Sequence, residues 1–184
     1  MTISQRNIVC GLDEIAGFAG HNVARILSIV DPELADIAGL TAHTPARHVL
    51  LRFHDIIDPA PGMVMPTAGD VSTILAFGAE GPSENLLIHC HMGISRSSAA
   101  MVSILAQAEP EAPAETIFET LREIRPIAWP NSVMIAHADD LLGRGGTLVD
   151  ALRRHYAHQI RREPRTEGWM TGLGRRREVD MASR

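Results

Sequence analysis

The sequence predicts an α/β fold, a central and mostly parallel sheet flanked by helices, and three observations carry that prediction. Four short runs rich in isoleucine, valine and leucine, at residues 8–10, 25–30, 49–53 and 85–88, are each bounded by glycine, proline or polar residues, as buried strands are. Segments with helical spacing separate them: Leu12, Ile15 and Ala16 follow the first run, and Val71, Ile74 and Leu75 follow Pro66 and Gly69. Strand and helix alternate, and parallel strands need such crossover connections.

Beyond residue 88 the pattern turns helical. Residues 98–106 are apolar nearly all round, which predicts a buried helix, and Ile117, Phe118, Leu121 and Ile124 form an i, i+1, i+4, i+7 stripe. A third helix is expected over about residues 130–142, with Pro130 in its first turn, and a fourth over 148–160, where Leu148, Leu152 and Tyr156 fall four apart. A chain of 184 residues, 45% of them hydrophobic, suffices for one core and is too short for two ordinary domains. Residues 1–162 are therefore read as one domain. Residues 163–184, with glycines, charges and few apolar side chains, are expected to form a flexible basic tail.

The net charge of −5 conceals an asymmetry, because residues 1–150 hold 18 acidic residues against eight arginines, and residues 151–184 hold nine arginines against four acidic residues. A body this acidic excludes a nucleic-acid partner, since only the tail could present a basic face. The arginines at 153–154, 161–162 and 175–177 are expected to be solvated or to fold back on the body. The longest uncharged apolar stretch, residues 97–108, is shorter than the ~20 residues of a membrane span, and no basic-then-apolar leader opens the chain. A soluble, cytoplasmic protein is expected. Its two cysteines, Cys10 and Cys90, make no disulfide framework, and a lone cysteine beside histidine and arginine reads as a reactive thiol.

That thiol sits in the most informative segment, His89-Cys90-His91-Met92-Gly93-Ile94-Ser95-Arg96-Ser97, between a predicted strand and a predicted helix. Ligands of parallel sheets bind beyond the carboxyl ends of strands, and a helix N-terminus offers unpaired N–H groups and a positive dipole end to an anion. Gly93 would let successive N–H groups turn inward, and the planar fork of Arg96 could reach two phosphate oxygens. His91, Met92, Ile94 and Ser95 would complete this cradle. Such surroundings lower a thiol of ordinary pKa ~8.5 to roughly 3.5–7.5, so Cys90 is expected to be a thiolate that attacks phosphorus. Ser97 could donate a hydrogen bond to the sulfur when it leaves again.

The segment resembles the signature loop of the cysteine-dependent protein phosphatases, the protein-tyrosine and dual-specificity superfamily, whose pattern is His-Cys-x5-Arg-Ser/Thr. His89, Cys90, Gly93, Arg96 and Ser97 match it. The resemblance implies a phosphotyrosine protein phosphatase-like fold and hydrolysis of a phosphorylated protein or small phosphate ester, with no cofactor. It also implies an acid that protonates the leaving oxygen, an aspartate in a loop after an upstream strand. Asp55, directly after the run at 49–53, is favoured; Asp58 is the alternative, with a turn before Pro59, Pro61 and Gly62 as its other reading. Arg125 to Asn131 looks like the arginine-to-proline-asparagine stretch that opens a late helix in dual-specificity enzymes. Asn131 is accordingly expected to support the loop or to cap that helix. The likeness covers roughly residues 45–145. The tyrosine-recognition motif and glutamine loop of the large tyrosine phosphatases are lacking, as is a loop lysine of the kind phosphoinositide phosphatases use.

Other features read as structural. Nine histidines without a second cluster at ligand spacing predict no metal site. His89 is expected to orient the loop, His155 and His158 to lie on a solvated face, and Trp129 to pack near the pocket. Two other functions are compatible with a cysteine in an anion-binding loop: a rhodanese-type sulfur transferase, or an arsenate reductase with Cys10 as its relay. A catalytically inactive phospho-binding module is a third, although both Cys90 and Arg96 are intact.

Overall fold

A computed structural model describes residues 7–43, 46–81 and 85–182. Four strands, β1 (Asn7–Cys10), β2 (Arg25–Val30), β3 (Arg47–Arg52) and β4 (Leu86–His89), form one sheet in the order β1-β4-β2-β3 with every pairing parallel. The predicted strands are therefore present within a residue or two of their expected ends. β4, the strand that leads into the cysteine loop, is central, and all four of its residues are buried. The edge strand β3 carries Arg47 and Arg52 at its ends, charges that keep an exposed edge from pairing with another chain.

Alternation along the strands divides the interior in two. Val9, Leu27, Ile29, Leu86 and Ile88 point to a large cluster built with the helices. Cys10, Ile26 and Leu87 point the other way, to a small cluster with Ile15, covered by 3-10 turns at Leu12–Phe18 and Leu40–His43. The segment at Leu12 was expected to be α-helical; its seven residues wind more tightly instead.

Seven α-helices follow among the described residues: α1 (Ala68–Ala79), α2 (Arg96–Ala108), α3 (Ala114–Ile124), α4 (Ser132–Leu141), α5 (Thr147–Arg162), α6 (Arg165–Gly172) and α7 (Arg176–Met181). α1 starts on a capping box in which the Thr67 hydroxyl accepts from Asp70 N–H and the Asp70 carboxylate accepts from Thr67 N–H. α2 is buried from Arg96 to Ala106, and its hydroxyls are satisfied within the chain, Ser98 donating to the Ile94 carbonyl and Ser103 to that of Ala99. No helix among the described residues is long and apolar enough to cross a membrane.

Two expectations need correction. His155 does not lie on a solvated face: it is fully buried and its Nε2 is 2.9 Å from the Ala128 carbonyl oxygen. Burial holds its pKa down at about 4, so the ring packs there uncharged. Nor is the C-terminal segment a loose tail. Within 163–182 it forms α6 and α7, and buries Met170, Arg175, Glu178 and Val179; residues 183–184 of the expected tail lie outside the described residues. The segment holds because Glu178, with no exposed surface, accepts hydrogen bonds from Trp129 Nε1 at 2.7 Å, Ser132 N–H at 2.8 Å and Arg175 Nε at 2.9 Å. A few well-placed polar anchors fix a stretch whose composition alone reads as solvated.

Candidate active site

Three strand ends meet on one side of the sheet. β4 runs into the loop at 90–95, β2 into Asp31, and β3 through Phe53 into Asp55. Parallel strands place these carboxyl ends together, where sheets of this kind hold ligands.

What grips the loop carbonyls sets the shape of the loop. The His91 carbonyl accepts from Leu12 N–H at 3.0 Å, that of Ile94 from Trp129 N–H at 2.8 Å, and that of Ser95 from Asn131 N–H at 3.4 Å. Arg125 takes the two between, donating from Nη2 to the Met92 carbonyl at 3.1 Å and from Nε to that of Gly93 at 3.0 Å. Glu14 holds its guanidinium from behind, at 3.0 and 2.9 Å. Five consecutive carbonyls are thus bound by groups outside the loop. A trans peptide plane carries its N–H opposite its C=O, so the N–H groups of residues 92–96 turn toward the space in front of Cys90. The result is an anion-binding nest continued by the N-terminus of α2.

Gly93 makes this turn possible. Its φ is +68°, and a Cβ there would lie 2.4 Å from the Cys10 carbonyl carbon and 2.6 Å from Gly11 N. Gly93→Ala is expected to lower stability by roughly 2–5 kcal/mol, adding a left-handed backbone cost of about 1–2 to an overpacking cost of about 1–3, and to weaken binding of oxyanions such as tungstate. Denaturant titration and calorimetry measure the two.

Cys90 lies at the floor of the nest, 2% exposed, with its Sγ 3.2 Å from Ser97 Oγ. His89 sits behind it and shares the Ser28 hydroxyl with His48. Burial depresses the His89 pKa to about 4, so it steadies the base of the loop without adding charge. Arg96 is buried, and its Nη1 donates to Asp31 Oδ1 at 2.6 Å and to the Phe53 carbonyl at 2.5 Å. Its equally buried Nε meets no acceptor among the described residues. Asp31 N–H in turn donates to His91 Nε2 at 3.2 Å.

Asp55 stands opposite. Its Oδ1 accepts from Ser95 Oγ at 2.7 Å, Asn131 Nδ2 at 3.1 Å and Arg175 Nη1 at 3.2 Å. Burial alone would raise the Asp55 carboxyl, but Arg175 and Arg96, with the Ser95 and Asn131 hydrogen bonds, outweigh it and hold the group below the usual carboxylate range. Asn131 Oδ1 also accepts from Val133 and Met134 N–H and so caps α4. Asp58 is elsewhere, its side chain 59% exposed and paired with Arg177 at 3.0 Å.

Asp55, Cys90, His91, Met92, Ile94, Ser95 and Arg96 line a single cavity of about 210 Å³. Five more of its lining residues were missed from sequence. Asp31 follows β2 as Asp55 follows β3, so the strand-end argument extends to it. Trp169, Met170, Leu173 and Arg175 come from the C-terminal segment and carry no local signal. Arg175 is 4% exposed and reaches Asp55 through both its carboxylate and its carbonyl, while Nη2 donates to Ser95 Oγ.

No family model matches the chain, and no curated protein matches it. Solved structures do. The Yvh1 phosphatase domain from Chaetomium thermophilum aligns at 24% identity over 78% of this chain and 94% of its own, with a TM-score of 0.55. The human tyrosine phosphatase-like serine/threonine/tyrosine-interacting protein aligns at 16% identity over 78% and 95%, with a TM-score of 0.60. Human DUSP28 aligns at 16% identity over 77% and 94%, with a TM-score of 0.58. With its all-parallel sheet and its cysteine loop between central strand and buried helix, the chain has the fold of the cysteine-dependent protein phosphatases, the superfamily of tyrosine and dual-specificity enzymes.

Proposed function

We propose that the protein hydrolyses phosphate monoesters, as a protein-tyrosine or dual-specificity phosphatase, through a cysteinyl-phosphate formed on Cys90. The strongest support is the gathering, around one cavity, of a thiol in an inward-facing N–H nest, a buried arginine with a donor to spare, and a carboxyl group opposite. The Cys90 thiolate attacks phosphorus in line, so that an S–P bond forms as the ester P–O bond breaks. Asp55 gives its proton to the departing oxygen. The non-bridging oxygens rest on the nest and on Arg96, where their charge is met by donors already in place. Water then attacks phosphorus and loses a proton to Asp55; the S–P bond breaks, Ser97 Oγ donates to the leaving sulfur, and inorganic phosphate departs.

An acid must carry its proton, and the arginines beside Asp55 favour its ionised form. The protonated fraction therefore grows as pH falls, and turnover is expected to rise from neutral toward acid pH. Steady-state hydrolysis of p-nitrophenyl phosphate without added metal, by wild type, Asp55→Asn and Asp58→Asn, tests this. Asp55→Asn is expected to lose about 10²–10⁴-fold in kcat and Asp58→Asn to keep the wild-type profile. The opposite pattern would give the acid's role to Asp58.

The relay of an arsenate reductase finds no support in Cys10. Burial, with Glu14 nearby, pushes that thiol up to about 12, so it supplies no second thiolate near neutral pH. Both cysteines are free, which supports a reducing compartment such as the cytoplasm.

A further inference from the structure

A second cavity, of about 360 Å³, lies beside the first, and Ile94, Trp169 and Met170 line both. Its wall is apolar, built from Ile127, Ala128 and the fully buried Trp129, which stacks on Tyr156 with ring centroids 4.2 Å apart. Its shape is held by side chains fixed to backbone: Gln159 Nε2 donates to the carbonyls of Pro126 and Ala128 at 2.9 and 2.8 Å, and Arg162 donates to that of Pro126. Among the described residues eight large apolar side chains are exposed, and Met92, Ile127, Trp169 and Leu173 among them border these two cavities. Apolar surface gathered at a pocket mouth marks what a ligand covers.

We infer that this cavity is the subsite for one large apolar side chain flanking the phosphorylated residue of a peptide substrate, an assignment that rests on the phosphatase reading of the Cys90 cavity. A ligand whose phosphate occupies the nest meets the second cavity directly, across Ile94 and Met170. The rim mixes Arg162 and Arg165 with Glu163 and Thr166, both charge signs and a hydroxyl, as suits a peptide backbone and polar neighbours. A lipid headgroup site would call for unpaired basic groups, whereas Arg165 is paired with Glu163 at 2.9 Å and Arg162 is held by the Pro126 carbonyl.

The test uses phosphotyrosine peptides identical except for Phe, Leu or Ser at one position on either side, with p-nitrophenyl phosphate and dihexanoyl phosphatidic acid as comparisons. At one flanking position kcat/KM is expected to be roughly tenfold or more higher for Phe or Leu than for Ser. Thr166→Arg and Ile127→Ser each remove that preference and leave p-nitrophenyl phosphate turnover unchanged. Equal rates for all flanks, with p-nitrophenyl phosphate still hydrolysed, overturn the subsite and leave the phosphatase reading standing. If no ester is hydrolysed the phosphatase reading fails, and calorimetric binding of the same peptides to Cys90→Ser still reads the flank preference. Phosphatidic acid turned over faster than every peptide, and lost in Thr166→Arg, gives the cavity to an acyl chain and overturns the peptide assignment.

Discussion

Cys90→Ser is expected to abolish turnover of p-nitrophenyl phosphate, by at least about 10⁴-fold in kcat, in a protein that stays folded and still binds tungstate. The replacement exchanges sulfur for oxygen at a site 2% exposed and adds no bulk. The outward-held carbonyls at 91–95 and the Arg96 contacts to Asp31 and Phe53 do not involve the sulfur, so the nest survives. What disappears is the sulfur nucleophile of the proposed first step, and a serine hydroxyl is a far weaker one. Activity assays and calorimetry on the same preparation separate the two effects. Retained turnover would falsify the cysteinyl-phosphate route; lost tungstate binding with intact folding would mean that Sγ itself shapes the nest.

Arg175→Met is the second large effect expected, and it acts on stability and on pH dependence in ways that can be told apart. The guanidinium and Glu178 form a buried pair, 5% and 0% exposed. Removing one partner of such a pair costs about 3–5 kcal/mol, measurable as a drop in denaturation midpoint. Arg175 is also among the charges that hold the Asp55 carboxyl low, and an adjacent arginine lowers an aspartate by about 1–3 pH units. Its loss lets Asp55 keep its proton to higher pH, so the decline of kcat/KM with rising pH moves toward neutral by a comparable amount. Arg175→Lys restores charge without the planar fork and is expected to recover part of both effects. The double variant Arg175→Met, Glu178→Gln separates them, recovering stability while the pH shift stays. A decline that does not move in Arg175→Met would show that Asp55 is governed from elsewhere.

Much of this site was legible before the fold was known, because its core is contiguous. From His89 to Ser97 a thiol, a glycine and an arginine must share one turn around an anion, and few residue types satisfy that demand at that spacing. Asp55 was reachable because it directly follows a strand, and Asp31 follows from the same argument. Arg125 was noticed only within a stretch leading to a helix; its grip on the Met92 and Gly93 carbonyls depends on packing that brings it against the loop. The C-terminal segment was misjudged for a related reason. Composition reports how much apolar surface a stretch can bury by itself, whereas α6 and α7 are held by Glu178 against Trp129 and by Arg175 against Asp55 and Ser95. Those partners lie 49, 120 and 80 residues away. His155 failed likewise, its solvated reading undone by the Ala128 carbonyl it meets 27 residues back.

The 120 residues between Asp55 and Arg175 also give the site a history during synthesis. A chain still lacking residues 163–182 already holds every residue of the sheet and of the cysteine loop, although domains generally fold as units. At that stage Asp55 has Ser95 and Asn131 but not its arginine, and the pocket lacks the wall formed by Met170, Leu173 and Arg175. Cys90 and Asp55 are thus made well before the arginine that Asp55 binds.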